Sequence, residues 1–173
     1  MAHAASQSLR ILSVALGLCL AMQGAAHAQF PGVVGDTVTW SLAAPPGPVA
    51  PGSKVALRLK GAVKPSWHVY GLKQAPEGPT PLEISVEAPK VAASAGVPTG
   101  AAPVKKHDPS FDLETQYYER DFILSVPVRV AAKAAAGKQL VPVSVHFQTC
   151  DGRICQPPKT VNLTAALNVQ AAR

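Results

Sequence analysis

Short segments of alternating apolar and polar residues constrain the fold of this chain more than any other feature. Residues 53–61, "SKVALRLKG", and residues 81–88, "PLEISVEA", both alternate in this way. A two-residue period is that of a strand with one buried face, whereas an amphipathic helix repeats every three to four residues. Beyond the first 28 residues no long stretch carries the helical period. We therefore expect a nearly all-β protein.

Further segments rich in β-branched and aromatic residues add to the predicted strands, namely "TVTWSL" at 37–42, "SWHVYGL" at 66–72 and "QYYERDFILSVPVRV" at 116–130. The alternation in the third segment slips near Phe122, which predicts a bend or bulge there. Connections are rich in Pro, Gly and Ala, and residues 88–110 form a loop long enough to be functional or partly mobile. Short strands at this spacing predict an immunoglobulin-like β-sandwich.

The last predicted hairpin carries a pair of cysteines at its tip. Residues 141–147 and 160–169 alternate clearly, and between them lie Cys150 and Cys155, separated by four residues. If the pleat of the first strand continues to its end, Cys150 lies on the face away from the core. The cysteine pair is therefore expected on a C-terminal hairpin.

The N-terminus predicts export from the cytoplasm. Arg10 precedes an apolar run at 11–22, and "AHA" ends at Ala28, so residues 1–28 read as a cleaved signal peptide and residues 29–173 as a single domain. Cys19 leaves with the signal, and the remaining two cysteines meet an oxidising compartment, where thiols tend to pair. The formal net charge is +6, but the basic residues are scattered along the chain, which predicts no nucleic-acid partner.

The cysteine pair allows three kinds of chemistry. As a structural staple it closes a very small ring, and stabilisation by a disulfide grows with the length of the closed loop. As a metal site it needs further ligands, and His146 lies about 13 Å from Cys150 along an extended strand, while His68 and His107 are expected to be surface histidines. As an exchange site, sulfurs at an exposed tip can be reached by an incoming thiolate. The residues alone leave all three open.

Three stretches carry a resemblance to a known family. Residues 143–163, "VSVHFQTCDGRICQPPKTVNL", resemble the signature of the N-terminal periplasmic domain of DsbD, the bacterial thiol:disulfide interchange protein. Residues 64–73, "KPSWHVYGLK", resemble an early aromatic strand of that family, and residues 107–128 resemble the segment that runs from its active-site cap loop into a strand. The resemblance covers residues 38–169. This chain has four residues between the cysteines where the best known members have five.

The resemblance implies an immunoglobulin-like sandwich that relays electrons, with the activity of a protein-disulfide reductase or interchange component. Cys155 matches the cysteine that forms mixed disulfides with partners, and Cys150 matches its resolving mate. The other implied site residues contact the partner or the disulfide: Phe111 as the shielding aromatic of the cap loop, Asp108 or Asp112 as an acidic neighbour, and Tyr70 and Trp67 as lining residues.

The resemblance also implies partners. The expected electron donor is a membrane-embedded DsbD-like or CcdA-like protein, here on a separate chain, because no later apolar run is long enough to span a membrane. The expected clients are periplasmic thioredoxin-like proteins, such as a disulfide isomerase or a reductase of cytochrome c maturation. Such a relay needs no metal or organic cofactor. The alternatives are an envelope binding or scaffold domain with an inert disulfide, and a metallochaperone for a soft ion.

Overall fold

The computed structural model describes residues 32–172, and within that range it contains fourteen strands and no helix. The strands are β1 (Gly32–Val34), β2 (Val38–Ala43), β3 (Pro48–Val49), β4 (Lys54–Val63), β5 (His68–Tyr70), β6 (Glu83–Val86), β7 (Ala92–Ser94), β8 (Thr99–Gly100), β9 (Val104–Asp108), β10 (Leu113–Tyr118), β11 (Phe122–Val130), β12 (Gly137–Phe147), β13 (Thr149–Cys150) and β14 (Lys159–Val169). The predicted signal peptide, residues 1–28, lies outside the described residues.

The strands form three sheets. The first has the order β1-β2-β4-β11-β7, and β8 also pairs with β11. The second has the order β3-β14-β12-β6, and the third, smaller sheet has the order β13-β5-β10-β9. All pairings are antiparallel except that of β3 with β14. The prediction of an all-β, immunoglobulin-like sandwich is confirmed.

One hydrophobic core lies between the first and second sheets, because alternate residues of both point inward. In β11, and in β14 from Leu163 onward, every second residue is buried, as the two-residue period of these segments predicts. Trp40, which has no exposed surface, packs at the centre, with ring centroids 5.6 Å from Phe122 and 5.1 Å from Phe147. Gly61 lies opposite this cluster, where an added Cβ atom would stand 2.6 Å from the Phe122 ring.

The structure differs from the sequence-based prediction in two details. The slip near Phe122 is a change of sheet, since residues 119–121 separate β10 of the third sheet from β11 of the first. The expectation that residues 88–110 form one long loop is wrong, because this segment contains the whole of β7, β8 and β9. Strands β7 and β8 pair with β11, which lies well beyond them in the sequence, so local patterning does not reveal them. Strand β9 forms a hairpin with the next strand, β10.

The hairpin that carries the cysteines is present as predicted. Strands β12 and β14 pair along their whole length, from Gly137 opposite Val169 to Phe147 opposite Lys159. The connection between them leaves the sandwich and contributes β13 to the third sheet, next to β5. The third sheet thus receives the cysteine pair from the hairpin and places it among residues of β5, β9 and β10.

Candidate functional site

A disulfide joins Cys150 and Cys155 across the turn that follows β13. The two residues form an antiparallel bridge with Cα atoms 4.0 Å apart. The amide of Gln156 donates to the carbonyl of Thr149 at 2.9 Å, which continues the pairing beyond the bridge. The backbone alone therefore brings the two cysteines together.

The side chain of Asp151, the first residue of the turn between the cysteines, holds this turn in place. Asp151 Oδ1 accepts hydrogen bonds from the amides of Arg153 at 2.8 Å and Ile154 at 2.7 Å. Gly152 has a φ of 86°, which residues with a side chain adopt only at a cost. The amides of Ile154 and Arg153 lower the pKa of the Asp151 carboxyl, because they stabilise its ionised form. The hydrogen bonds accepted by Asp151 and the positive φ of Gly152 are those of a tight Asx-type turn.

The two sulfur-bearing residues differ in exposure. Cys150 has no exposed surface, whereas Cys155 is half-buried. The expectation that both sulfurs lie at an exposed tip is therefore wrong for Cys150. The pleat of β12 ends at Phe147, and Cys150 then pairs with β5, so it packs against Tyr70 and Tyr117 in a second cluster. A partner that approaches this pair meets Cys155 first.

The turn between β9 and β10 covers the disulfide. Ser110 Oγ lies 3.7 Å from Cys150 Sγ, and the half-buried Phe111 packs against the second cluster. The rings of Phe111 and Tyr70 meet edge to face with centroids 5.8 Å apart. Asp112, with a φ of 53°, points to solvent and pairs with His107 at 3.2 Å. Ser110 thus contacts the Cys150 sulfur and Phe111 packs against the cluster that contains Cys150, while the Asp112 carboxylate points away.

A buried tyrosine and a buried carboxylate lie beside Cys155. Tyr70 Oη donates to Asp108 Oδ2 at 2.7 Å and is 3.8 Å from Cys155 Sγ. Asp108 is 3% exposed, and its Oδ1 accepts from the amide of Ser110 at 2.9 Å. Burial, and then the hydrogen bond to Asp108, raise the pKa of the Tyr70 hydroxyl, which is a neutral donor at physiological pH. The tyrosine therefore links the carboxylate to the accessible sulfur.

The structure thus brings most of the predicted site residues into one place, and their roles stay predictions. Trp67 is half-buried and lines a neighbouring cavity of about 300 Å³ rather than the disulfide. The predicted residues that lie together around the disulfide are Cys150, Cys155, Tyr70, Asp108 and Phe111.

Sequence reasoning missed His68, which was expected at the surface. It is 9% exposed, pairs through its backbone with Cys150, and stacks on Tyr117 with ring centroids 4.2 Å apart. Its Nε2 has no hydrogen-bond partner and lies 4.0 Å from Asp108 Oδ2. The three residues of β5 are all buried, because the strand lies between β13 and β10. The feature of the sequence that could have indicated a buried His68 is its apolar and aromatic neighbours.

Within the range 32–172, no three His, Cys, Asp or Glu side chains are grouped so that they could hold a metal ion. The same range has no helix that is long and apolar enough to cross a membrane.

Comparison with known proteins identifies the family. The family model for the N-terminal domain of the thiol:disulfide interchange protein DsbD matches residues 42–166. Among solved structures, the reduced N-terminal domain of DsbD from Neisseria meningitidis aligns at 15% identity and a TM-score of 0.48, covering 68% of this chain and 82% of that one.

The N-terminal periplasmic domain of ScsB from Proteus mirabilis gives the same identity and TM-score, covering 76% of this chain and 49% of that one. No curated protein matches the chain. Because the family model spans well over half of the sequence and includes both cysteines, the chain belongs to the family of the N-terminal domain of DsbD.

Proposed function

We propose that this chain is a periplasmic thiol–disulfide exchange module. It carries electrons from a membrane-embedded reductase to thioredoxin-like clients through a reversible Cys150–Cys155 disulfide. The observation that supports this most directly is the unequal exposure of the two cysteines. Exchange proceeds by attack of a thiolate on an accessible sulfur, so one reachable and one protected sulfur suit a two-step relay.

The reaction consists of two exchanges of the same kind. A donor thiolate attacks Cys155 Sγ, Cys150 leaves as the thiolate, and the second thiol of the donor displaces Cys155, which leaves the module as a dithiol. The Cys155 thiolate then attacks a client disulfide, and Cys150 resolves the mixed disulfide. Each exchange transfers two electrons and two protons from a dithiol to a disulfide. The chemistry involves sulfur and protons alone.

The local geometry argues against a mainly structural disulfide. The cysteines are five residues apart, and their backbones already form a β-bridge. The stabilisation from closing a loop grows with its length, so this ring lies near the bottom of the usual range of about 2–4 kcal/mol. The disulfide also lies beside the separate turn that carries Ser110 and Phe111, rather than within the main core.

Trapping of a mixed disulfide tests the proposal. The Cys150→Ser variant lacks the resolving sulfur, so Cys155 should remain bonded to a thioredoxin-like periplasmic protein supplied in its disulfide form. The matched variant Cys155→Ser keeps one buried thiol and should form no adduct. Mass spectrometry of the non-reduced products identifies the bonded cysteines. Absence of an adduct with Cys150→Ser contradicts the proposal.

A redox titration separates this function from that of a scaffold domain with an inert disulfide. Structural disulfides have reduction potentials below about −300 mV, while exchange sites are more oxidising. Equilibration of the protein with dithiothreitol or glutathione buffers, followed by thiol alkylation, gives the potential of the pair. A value below that limit favours the scaffold.

A further inference from the structure

His68 is an ionisable side chain that the exchange reaction above does not use, although it lies beside the disulfide. Its backbone on β5 pairs directly with that of Cys150 on β13. Residues directly opposite each other on antiparallel strands point to the same face, with Cβ atoms about 4.5–5.5 Å apart. The imidazole and the buried sulfur therefore lie on the same face of the third sheet, on adjacent strands.

The surroundings of His68 leave one ring nitrogen without a partner. Nε2 is fully buried, makes no hydrogen bond, and lies 4.0 Å from Asp108 Oδ2. Stacking on Tyr117 and an edge contact with Tyr70 hold the ring in place. A buried polar atom without a partner is unfavourable and requires an explanation. A role in another state of the cycle would provide one.

We propose that His68 accepts the proton of the Cys150 thiol when Cys150 resolves a mixed disulfide, and that Asp108 stabilises the resulting imidazolium. The inference rests on the proposed exchange function. Cys150 has no exposed surface, so bulk water cannot take its proton, and only the thiolate attacks. A nucleophile, a base and a group that orients the base form the general arrangement of activated nucleophiles.

The charged and titratable groups around His68 favour a neutral ring that can accept a proton. Burial lowers the pKa of His68, the nearby carboxylates oppose this shift, and the neighbouring lysine adds to it. The groups that face the ring are Tyr70 on its own strand, Asp108 and Lys106 on β9, Tyr117 on β10, Glu119 just after β10, and Asp151 in the cysteine turn.

The step balances without a further reactant. In the mixed disulfide Cys155 is bonded to a client sulfur and Cys150 is a thiol. The Cys150 proton moves to His68, the Cys150 thiolate bonds to Cys155 Sγ, and the bond between Cys155 and the client sulfur breaks. The client leaves as a thiolate and is protonated by solvent. The imidazolium releases its proton into the adjoining cavity of about 300 Å³, which His68 and Asp108 help to line.

The test uses the reduced protein and an equimolar aromatic disulfide whose thiol product is coloured, such as dithionitrobenzoate. Attack by Cys155 releases one equivalent of the coloured thiol, and resolution by Cys150 releases a second. General base catalysis contributes roughly 100-fold or more. His68→Asn should therefore slow the second phase on the order of 100-fold near pH 7. The first phase should not change.

The pH profile distinguishes proton transfer from a merely structural role. The second-phase rate of the wild type should level off at pH values below the ordinary thiol pKa of about 8.5. In His68→Asn it should rise about tenfold per pH unit up to the thiol pKa, because hydroxide must replace the base. The control is His146→Asn, which changes a half-buried histidine on β12 whose Nδ1 contacts Thr160 Oγ1 at 2.8 Å. It should behave as the wild type.

The outcomes separate the two proposals. If the wild type releases no second equivalent, the exchange function itself fails. If the wild type shows both phases and His68→Asn has an unchanged second phase, the role of His68 alone is overturned. If His68→Asn does not fold, the pH profile of the wild type is the test. A second-phase rate of the wild type that rises without a plateau up to the thiol pKa also overturns the role of His68.

Discussion

The hydrogen bond between Tyr70 and Asp108 should be a major local source of stability around the disulfide. The Tyr70→Phe variant removes the hydroxyl that donates to Asp108 Oδ2 at 2.7 Å. It keeps the ring, and with it the edge contacts to Phe111 at 5.8 Å and Tyr117 at 6.4 Å. The variant therefore removes this hydrogen bond, together with the 3.8 Å contact between the hydroxyl and Cys155 Sγ, and leaves the aromatic packing in place.

The expected loss in the free energy of unfolding is about 1.5–3 kcal/mol, the usual contribution of a hydrogen bond to a charged group. Asp108 is 3% exposed, so water cannot replace the lost donor. The amide of Ser110 still donates to Asp108 Oδ1 at 2.9 Å, so the carboxylate is not left bare. The loss should thus stay below the roughly 3–5 kcal/mol of an unpaired buried charge.

Urea unfolding of the oxidised protein measures this loss from the shift of the midpoint at constant slope. The matched control is Tyr118→Phe, because Tyr118 is also buried, stacks on Phe122, and makes no side-chain hydrogen bond with any described residue. Its effect should be clearly smaller.

A double-mutant cycle with Tyr70→Phe and Asp108→Ala isolates the energy of the pair. A coupling below about 0.5 kcal/mol, the limit within which independent sites add, would refute this account of the site.

Three further predictions concern access, packing and pH. Phe111→Ala should speed the reduction of the disulfide by dithiothreitol, because it removes a ring that packs against the cluster containing the buried Cys150; an unchanged rate shows that this ring does not limit access. Gly61→Ala should destabilise the protein by about 1–3 kcal/mol in urea unfolding, since the added Cβ meets the Phe122 ring at 2.6 Å, and wild-type stability would show that the ring can move. Burial lowers the pKa of His68 in the folded state, so the unfolded state binds more protons below the ordinary value of 6.5. The free energy of unfolding should therefore fall as the pH drops below 6.5, and by less in His68→Gln; equal pH dependence of the two proteins contradicts this reading.

The sequence revealed the elements that depend on local patterning. Strands β4, β12 and β14 are long, and their two-residue period follows from one buried face, so composition along the chain is enough to locate them. The short strands β7 and β8 escaped prediction because they exist only through pairing with β11, and a segment of two or three residues has no readable period.

The candidate site divides in the same way. The sequence located Cys150 and Cys155 at the end of an alternating hairpin and, by resemblance, indicated the family, while the residues alone left a disulfide and a metal site open. The burial of Cys150 could not be predicted, because it depends on β13 leaving the hairpin to join β5. His68 escaped for the same reason, since its neighbour across the sheet is far away in the sequence.

By itself, then, the sequence determined an all-β chain with a cysteine pair closing a tight turn, since strand period and turn composition are local properties. Only the tertiary structure decided that one sulfur is buried and the other half-exposed, that Tyr70 donates to Asp108, and that His68 lies beside Cys150. Burial and hydrogen bonding between segments depend on how separate strands pair in three dimensions, and the linear pattern of residues does not specify that pairing.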